Sequence, residues 1–206
     1  MAEKATRRSP RGENRRAKII DAAAEEFATR GYSGGSLAAI AERAGITQSG
    51  LLHHFATKEI LLDAVMQSRF AEDAEIVDRL GLGEASPFAG YDTLVARNTQ
   101  DRAWVQFLMV TQAEGLTEDN PAHDLIRDRL DRVRGRMLQR IRAHQGDPFD
   151  IASDLDREDV VTLVLAALDG LQIQWLYDDS IDMRRVIGLL VRLITTHTAS
   201  TDPPSD

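Results

Sequence analysis

The sequence predicts an all-α protein. Apolar residues recur at three- and four-residue intervals along almost the whole chain, and no stretch sustains the period-two alternation of a half-buried strand. Aromatic residues make up only 5% of the chain, and β-branched runs are short. Glycine and X-Pro steps divide the apolar pattern into segments of helical length.

The first helix is expected over about 14–30, with Ile19, Ile20, Ala23, Ala24 and Phe27 as its apolar stripe and Gly31 ending it in a left-handed cap. Two short helices follow within 36–55. A long helix begins near Thr57, a plausible N-cap with Glu59 in the first turn. It carries Ile60, Leu61, Leu62, Val65, Met66 and Phe70 towards Leu80, where Gly81 and Gly83 stop it. Ser86-Pro87 and Asn120-Pro121 each set a capping residue before proline, so helices are expected to start there, with Leu94–Leu116 between them. The segment after Pro121 runs to about His144, with Leu125, Ile126, Leu130, Val133, Met137, Leu138 and Ile141 on one side. Gly146-Asp147-Pro148 breaks it. Helices over about 156–177 and 181–198 are dense in aliphatic residues, and the final residues read as a disordered tail.

Charge divides the 206-residue chain unevenly. The formal net charge is −8, yet residues 1–60 hold ten Lys/Arg against seven Asp/Glu, and the remainder is strongly acidic. Seven of those cations, among them Arg15, Arg16 and Lys18, fall in the first eighteen residues. Such an arm either tracks phosphates or solubilises a tail. There is no cysteine, hence no disulfide, thiol nucleophile or cysteine metal site. The longest apolar run, near Val160–Leu168, falls short of the roughly 20 residues of a membrane span, and the N-terminus lacks a secretory apolar core. These features point to a soluble, cytoplasmic chain with no membrane partner. HExxH, GxxxxGKS and nucleophile-elbow motifs are also missing, so neither enzymatic activity, a metal nor a cofactor is expected.

The most specific segment is SLAAIAERAGITQSGLLHHF, residues 36–55, whose spacing is what two helices crossing at a tight turn require. Ser36 caps the first helix, and Leu37, Ile40 and Ala44 face the core. Ala41 is small where the second helix approaches, Gly45 tolerates positive φ in the turn, and Ile46 anchors it. Thr47 caps the second helix, in which Leu51 and Phe55 pack inward while Gln48, Ser49, Gly50, Leu52 and His53 face out. A free first turn of this kind enters a DNA major groove. Gln48 can pair bidentately with adenine, and the Thr47 and Ser49 hydroxyls reach bases or phosphates. Gly50 admits close backbone approach, while His53, His54, Lys58 and Arg15 meet phosphate. Adjacent histidines diverge on a helix, so His53-His54 is not read as a metal pair.

Over about 15–62, through AAAEEFATRGY and IAERAGITQSGLLHHFATKEILL, the chain resembles the tetracycline-repressor (TetR) family of regulators. The resemblance implies a dimer whose second motif helix reads double-stranded operator DNA, and a phosphate contact for Lys58. A tyrosine common in the family is Leu52 here, which passes its phosphate contact to His53; a frequent glycine is Ser49, with Gly50 displaced by one. It further implies an N-terminal three-helix DNA-binding domain followed by a helical ligand-binding and dimerisation domain. The expected divisions are a basic flexible arm (1–13), the reader (14–57), the body (58–198) and a disordered tail (199–206).

A helix over 156–177 that is apolar nearly all round and a second over 181–198 rich in aliphatic residues are more than a small body can bury alone, so a homodimer is expected, with Leu171, Trp175, Val186, Leu190 and Ile194 at its interface. Asn98, Arg102, Trp104, Phe107, Leu108, Gln112, Met137 and Gln172 are candidates to line a pocket for an unknown small molecule, or else pack as ordinary core. The expected function is that of a one-component transcriptional repressor released from its operator by a ligand. An activator or co-repressed regulator would use the same parts, and a helical scaffold would explain the body but not residues 36–55.

Overall fold

A computed structural model describes residues 10–81, 87–143 and 155–195, and among them every regular element is a helix. In order they are α1 (Pro10–Gly34), α2 (Leu37–Arg43), α3 (Gln48–His54), α4 (Lys58–Gly81), α5 (Tyr91–Thr99), α6 (Arg102–Glu114), α7 (Ala122–Ala143), α8 (Arg157–Tyr177) and α9 (Met183–Thr195). The all-α class is as expected. Residues 1–9 of the arm, Gly83 and Ser86, the Gly146-Asp147-Pro148 break, 196–198 and the tail lie outside the described residues.

Many helix starts follow their capping chemistry. Asp156 accepts from the N–H groups of Glu158 and Asp159 at 2.7 and 3.2 Å, and Asn120 Oδ1 accepts from Ala122 N at 2.9 Å just ahead of α7. Four expectations need correction. α1 begins at Pro10, which puts Arg11 on a helix rather than on a loose arm. At its other end Gly31 has positive φ (71°) but extended ψ (170°), and a further helical turn runs to Gly34. The cause is tertiary: the carboxylate of Glu114 on α6 accepts the Tyr32 and Ser33 N–H groups at 2.6 and 3.2 Å, in place of the carbonyls of a cap. Pro87 lies in a turn and α5 starts only at Tyr91, because the Arg140 guanidinium holds the Pro87, Ala89 and Val77 carbonyls at 2.8–3.0 Å and bends the chain there. Within 94–116 a break at Gln100-Asp101 separates α5 from α6. Asp101 accepts from Trp104 N at 3.0 Å and from Arg69 at 3.1 Å, so it opens a new helix.

One core runs from Ile19 and Phe27 on α1, through Ile40, Leu51 and Phe55, to Phe107, Trp175 and Ile187. Phe27 and Phe107, both fully buried, stack with ring centroids 6.3 Å apart where α1 crosses α6. No gap in packing falls at residue 58. A second cluster gathers Tyr91, Met137, Ile141, Val161 and Ile194 at the far end. α8 is long and apolar enough, by length and composition alone, to cross a membrane. Its buried Val160, Val161, Val164 and Leu165 belong to the second cluster and Leu171 and Trp175 to the first, while Leu163, Ile173 and Tyr177 remain exposed.

Candidate functional site

Two regions concentrate the chemistry. At the first, α2 and α3 are built as the residue spacing requires. Ser36 is the α2 N-cap, its hydroxyl accepting from Ala39 N at 3.5 Å, and its own N–H donates to buried Glu26 at 3.3 Å. Gly45 turns the chain with φ 70°, and the Ile46 N–H returns to Ala41 O at 3.0 Å. Thr47 caps α3 by accepting from Gly50 N at 3.1 Å, and its hydroxyl lies 3.1 Å from that of Ser49. Leu51 and Phe55 are buried, which fixes the rotation of α3 and leaves Gln48, Ser49, Leu52 and His53 exposed on its outer side. Gly50 and His54 are half-buried.

Cations flank this face. Arg11, Arg15 and Lys18 border the turn Ala44–Ile46 across a shallow groove. Arg16 differs: its guanidinium lies 4.8 Å over the Phe55 ring and is half-buried. Lys58 is also half-buried, its Nζ donating to Ser33 O at 3.3 Å and sitting 4.6 Å over the Tyr32 ring. Burial lowers its pKa, and the carboxylates of Glu114, Glu59 and Glu26 oppose that shift. The Tyr32 hydroxyl donates to Glu59 at 2.8 Å; burial and that carboxylate push the phenol up.

The second region is a cavity of about 120 Å³ lined by residues of α4–α8. At roughly 10–15 Å³ per water it holds on the order of ten waters. Of the expected pocket residues, Asn98, Trp104, Leu108 and Gln172 line it. The other four do not. Phe107 is fully buried in the main core, Met137 belongs to the second cluster, and Arg102 is exposed, donating to Leu176 O and stacking 5.4 Å over Trp175. Gln112 lies outside the lining, where its side chain opposes the upward shift of Asp169.

Charged residues that the spacing did not single out also line the cavity: Arg129, Arg132 and Arg136 from α7, Asp169 from α8 and Asp73 from α4. Burial lowers the pKa of Arg129, countered chiefly by Asp169 and Asp73; burial raises Asp169 and Asp73, countered first by Arg129 and Arg69 respectively. Asp169 interrupts the run VLAALDGLQ, and a carboxylate inside so apolar a helix was the clue available in the sequence. Arg129 was hidden among the charges of α7. Four polar atoms of lining residues are buried without a hydrogen-bond partner: Asn98 Oδ1, Gln172 Oε1, Trp104 Nε1 and Arg129 Nε. Burial pushes the Tyr91 phenol up to about 12.

The expected interface residues Leu171, Trp175 and Ile194 are buried within the chain itself, at 7, 5 and 6% exposure, so they offer little surface to a partner. Their helices turn other apolar residues outward: Leu163, Ile173 and Tyr177 on α8, and Val186, Leu189 and Leu193 on α9. Leu190 is half-buried.

The family model described as "Bacterial regulatory proteins, tetR family" matches residues 19–65. The chain is 32% identical over 131 residues to the HTH-type transcriptional regulator TtgW of Pseudomonas putida, covering 62% of this chain and 91% of that one. It is 29% identical over 116 residues to the HTH-type transcriptional repressor KstR2 of Rhodococcus jostii, covering 56% and 50%. The chain spans about half or less of the length of the first curated relatives it matches. Among solved structures, FadR of Bacillus subtilis in complex with stearoyl-CoA superposes with a TM-score of 0.67 at 18% identity, covering 87% of this chain and 97% of that one. That likeness is one of fold.

Proposed function

Since the chain belongs to the tetR family of bacterial regulatory proteins, we propose that it is a transcriptional repressor that binds operator DNA through α3 and leaves it when a small molecule occupies the cavity of α4–α8. The carrying observation is the outer side of α3, where Gln48, Ser49 and His53 stand exposed on a helix whose rotation Leu51 and Phe55 fix. Gln48 reads a base edge, Thr47 and Ser49 extend the contact, and Gly50 lets the backbone approach. Arg15, with Arg11 and Lys18 beside it, follows the phosphates; His53, His54 and Lys58 contact the backbone from the other end. Lys58 must leave Ser33 O to do so. Ser36 acts through its cap, which sets α2.

In this reading α1 from Pro10 onward and residues up to 57 serve as reader, 58–198 as body, and 1–9 and 199–206 as terminal arm and tail. α6 links reader and body. Trp104 and Leu108 wall the cavity, while Gln106 donates to Ala28 O at 2.9 Å and Glu114 holds the Tyr32 and Ser33 amides. A ligand that shifts α6 therefore shifts α1, and operator and ligand weaken one another reciprocally. FadR's complex with stearoyl-CoA supports a ligand-holding body in this fold.

The protein acts as a homodimer through the outward apolar faces of α8 and α9. Leu163, Ile173 and Tyr177 lie within a narrow sector of one helix, as do Val186, Leu189 and Leu193 of the other. Gly170 is also on the α8 face, and a Cβ there would meet nothing within 4 Å in the subunit. A helical glycine costs roughly 1 kcal/mol against alanine, a cost that close approach of a partner backbone would explain. The dimer presents two α3 helices to half-sites about 34 Å apart. Leu193→Asp is expected to yield monomers by sedimentation with helicity unchanged, and a wild-type mass that stays monomeric at every concentration removes the dimer. An electrophoretic shift with DNA from upstream of its own coding sequence tests the whole reading. No shift at low salt, or one indifferent to Gln48→Ala combined with Lys58→Ala, overturns it.

A further inference from the structure

The polar atoms inside the cavity specify what can fill it. We infer that the cavity takes a small, largely apolar, uncharged molecule bearing a hydroxyl or carbonyl oxygen, in preference to an anion or a cation. This deepens the ligand reading above and rests on it. Asn98, Trp104 and Gln172 are each more than nine-tenths buried, and each contributes an unpartnered polar atom to the lining. Buried polar atoms left this way are rare in folded proteins and call for a partner. Two are acceptors, Asn98 Oδ1 and Gln172 Oε1, and two are donors, Trp104 Nε1 and Arg129 Nε. A hydroxyl serves both kinds, since it donates to an amide oxygen while accepting from an N–H.

Charges of both signs already face one another inside. Arg129 faces Asp169 and Asp73, and Asp73 is further bridged by Arg69 at 3.4 Å and Arg97 at 2.9 Å. Burial already works against the ionised forms of Asp169 and Asp73, so a third anion would meet the same penalty and would have to share Arg129 with the two carboxylates already facing it. The other two arginines of the lining, Arg132 and Arg136, are exposed to solvent, and Arg136 is paired with Asp78 at 3.8 Å. Cations are refused by a different route. The faces of Phe70 and Trp104, where a ligand cation would stack, already carry Arg129 at 4.8 Å and Arg69 at 5.2 Å. What remains is aliphatic, from Val95, Leu108, Leu165 and Leu168. The volume suits on the order of ten to fifteen non-hydrogen atoms.

Titration calorimetry of the full chain at neutral pH against four matched probes tests this: 2-naphthol, 2-naphthoate, 2-naphthylmethylammonium and naphthalene. Naphthol is expected to bind about ten-fold or more tighter than either ion, the equivalent of one hydrogen bond to a partner otherwise left unpaired. Trp104→Phe and Gln172→Leu should each weaken naphthol several-fold and leave naphthalene unchanged; retained naphthalene binding also reports that the variant is folded. Leu108→Phe and Leu165→Phe, which fill the space, should weaken all four. If naphthoate or the ammonium binds most tightly and the filling variants block it, the cavity stands and the uncharged class is overturned. If naphthol binds the filling variants as well as the parent, it sits elsewhere and the cavity reading fails. Binding by none of the four overturns the class for molecules of this size.

Discussion

The polar groups of α3 and those of the cavity face opposite ways, and the contrast shows where a fold hides its chemistry. Gln48, Ser49 and His53 stand in water, so their presence costs the fold little, and their direction is dictated by the two residues beneath them, Leu51 and Phe55. Asn98, Gln172, Trp104 and Arg129 are desolvated without full compensation, so each is a local cost that the surrounding helices must outweigh. An exposed set is recognised by its scaffold; a buried set is recognised by its imbalance.

The two sets are nevertheless ends of one packed body, and the largest expected effect tests that. Phe107→Ala, at the crossing of α1 and α6, should cost roughly 3–5 kcal/mol, and a melt followed at both ends should show one transition. Separate transitions for residues 14–57 and the rest would divide what the core of Phe27 and Phe107 joins. Next in size, Gln48→Ala should weaken operator binding by about 1–3 kcal/mol, selectively at one base position. Gln172→Leu should leave ligand-free operator binding unchanged. Equal weakening by both would erase the distinction between reader and cavity. Glu114→Gln should destabilise the fold by roughly 1 kcal/mol and speed hydrogen exchange at the Tyr32 and Ser33 amides. Unchanged exchange there would show that Glu114 does not hold the seam. The smallest effect is electrostatic: with about six phosphates met per dimer, log affinity should fall with log salt at a slope near −5. Arg15→Ala should flatten that slope by about one unit for each phosphate left unneutralised, equally at every sequence. Arg16→Ala should flatten it less, because its guanidinium lies over Phe55.

Much of the reader was legible because local chemistry decides it. Ser36, Gly45 and Thr47 do in the structure what capping and turn residues do in isolation, and period alone separates Leu51 from Gln48. The body was legible as helices but not as faces. On α8 both sides of the helix are apolar, so nothing in the periodicity distinguished Leu171 and Trp175, which pack inward, from Leu163 and Ile173, which do not. On α7 a dense row of arginines concealed the three that line the cavity, Arg129, Arg132 and Arg136. Starts set by long-range contacts were likewise beyond local rules. Arg140, far along the chain, determines where the chain bends before α5, and Glu114 determines how α1 ends.

That last contact bears on how this protein would respond to random mutagenesis. Gly31 lies where any Cβ would come within 2.6 Å of Glu114 Oε1, on a backbone with φ 71° that side chains resist. Replacing it therefore strains the chain and displaces the carboxylate in a single step, without touching α3 or the cavity. A genetic screen for alleles that still occupy DNA yet no longer answer to an inducer should recover Gly31 repeatedly. Such alleles would map to neither binding surface.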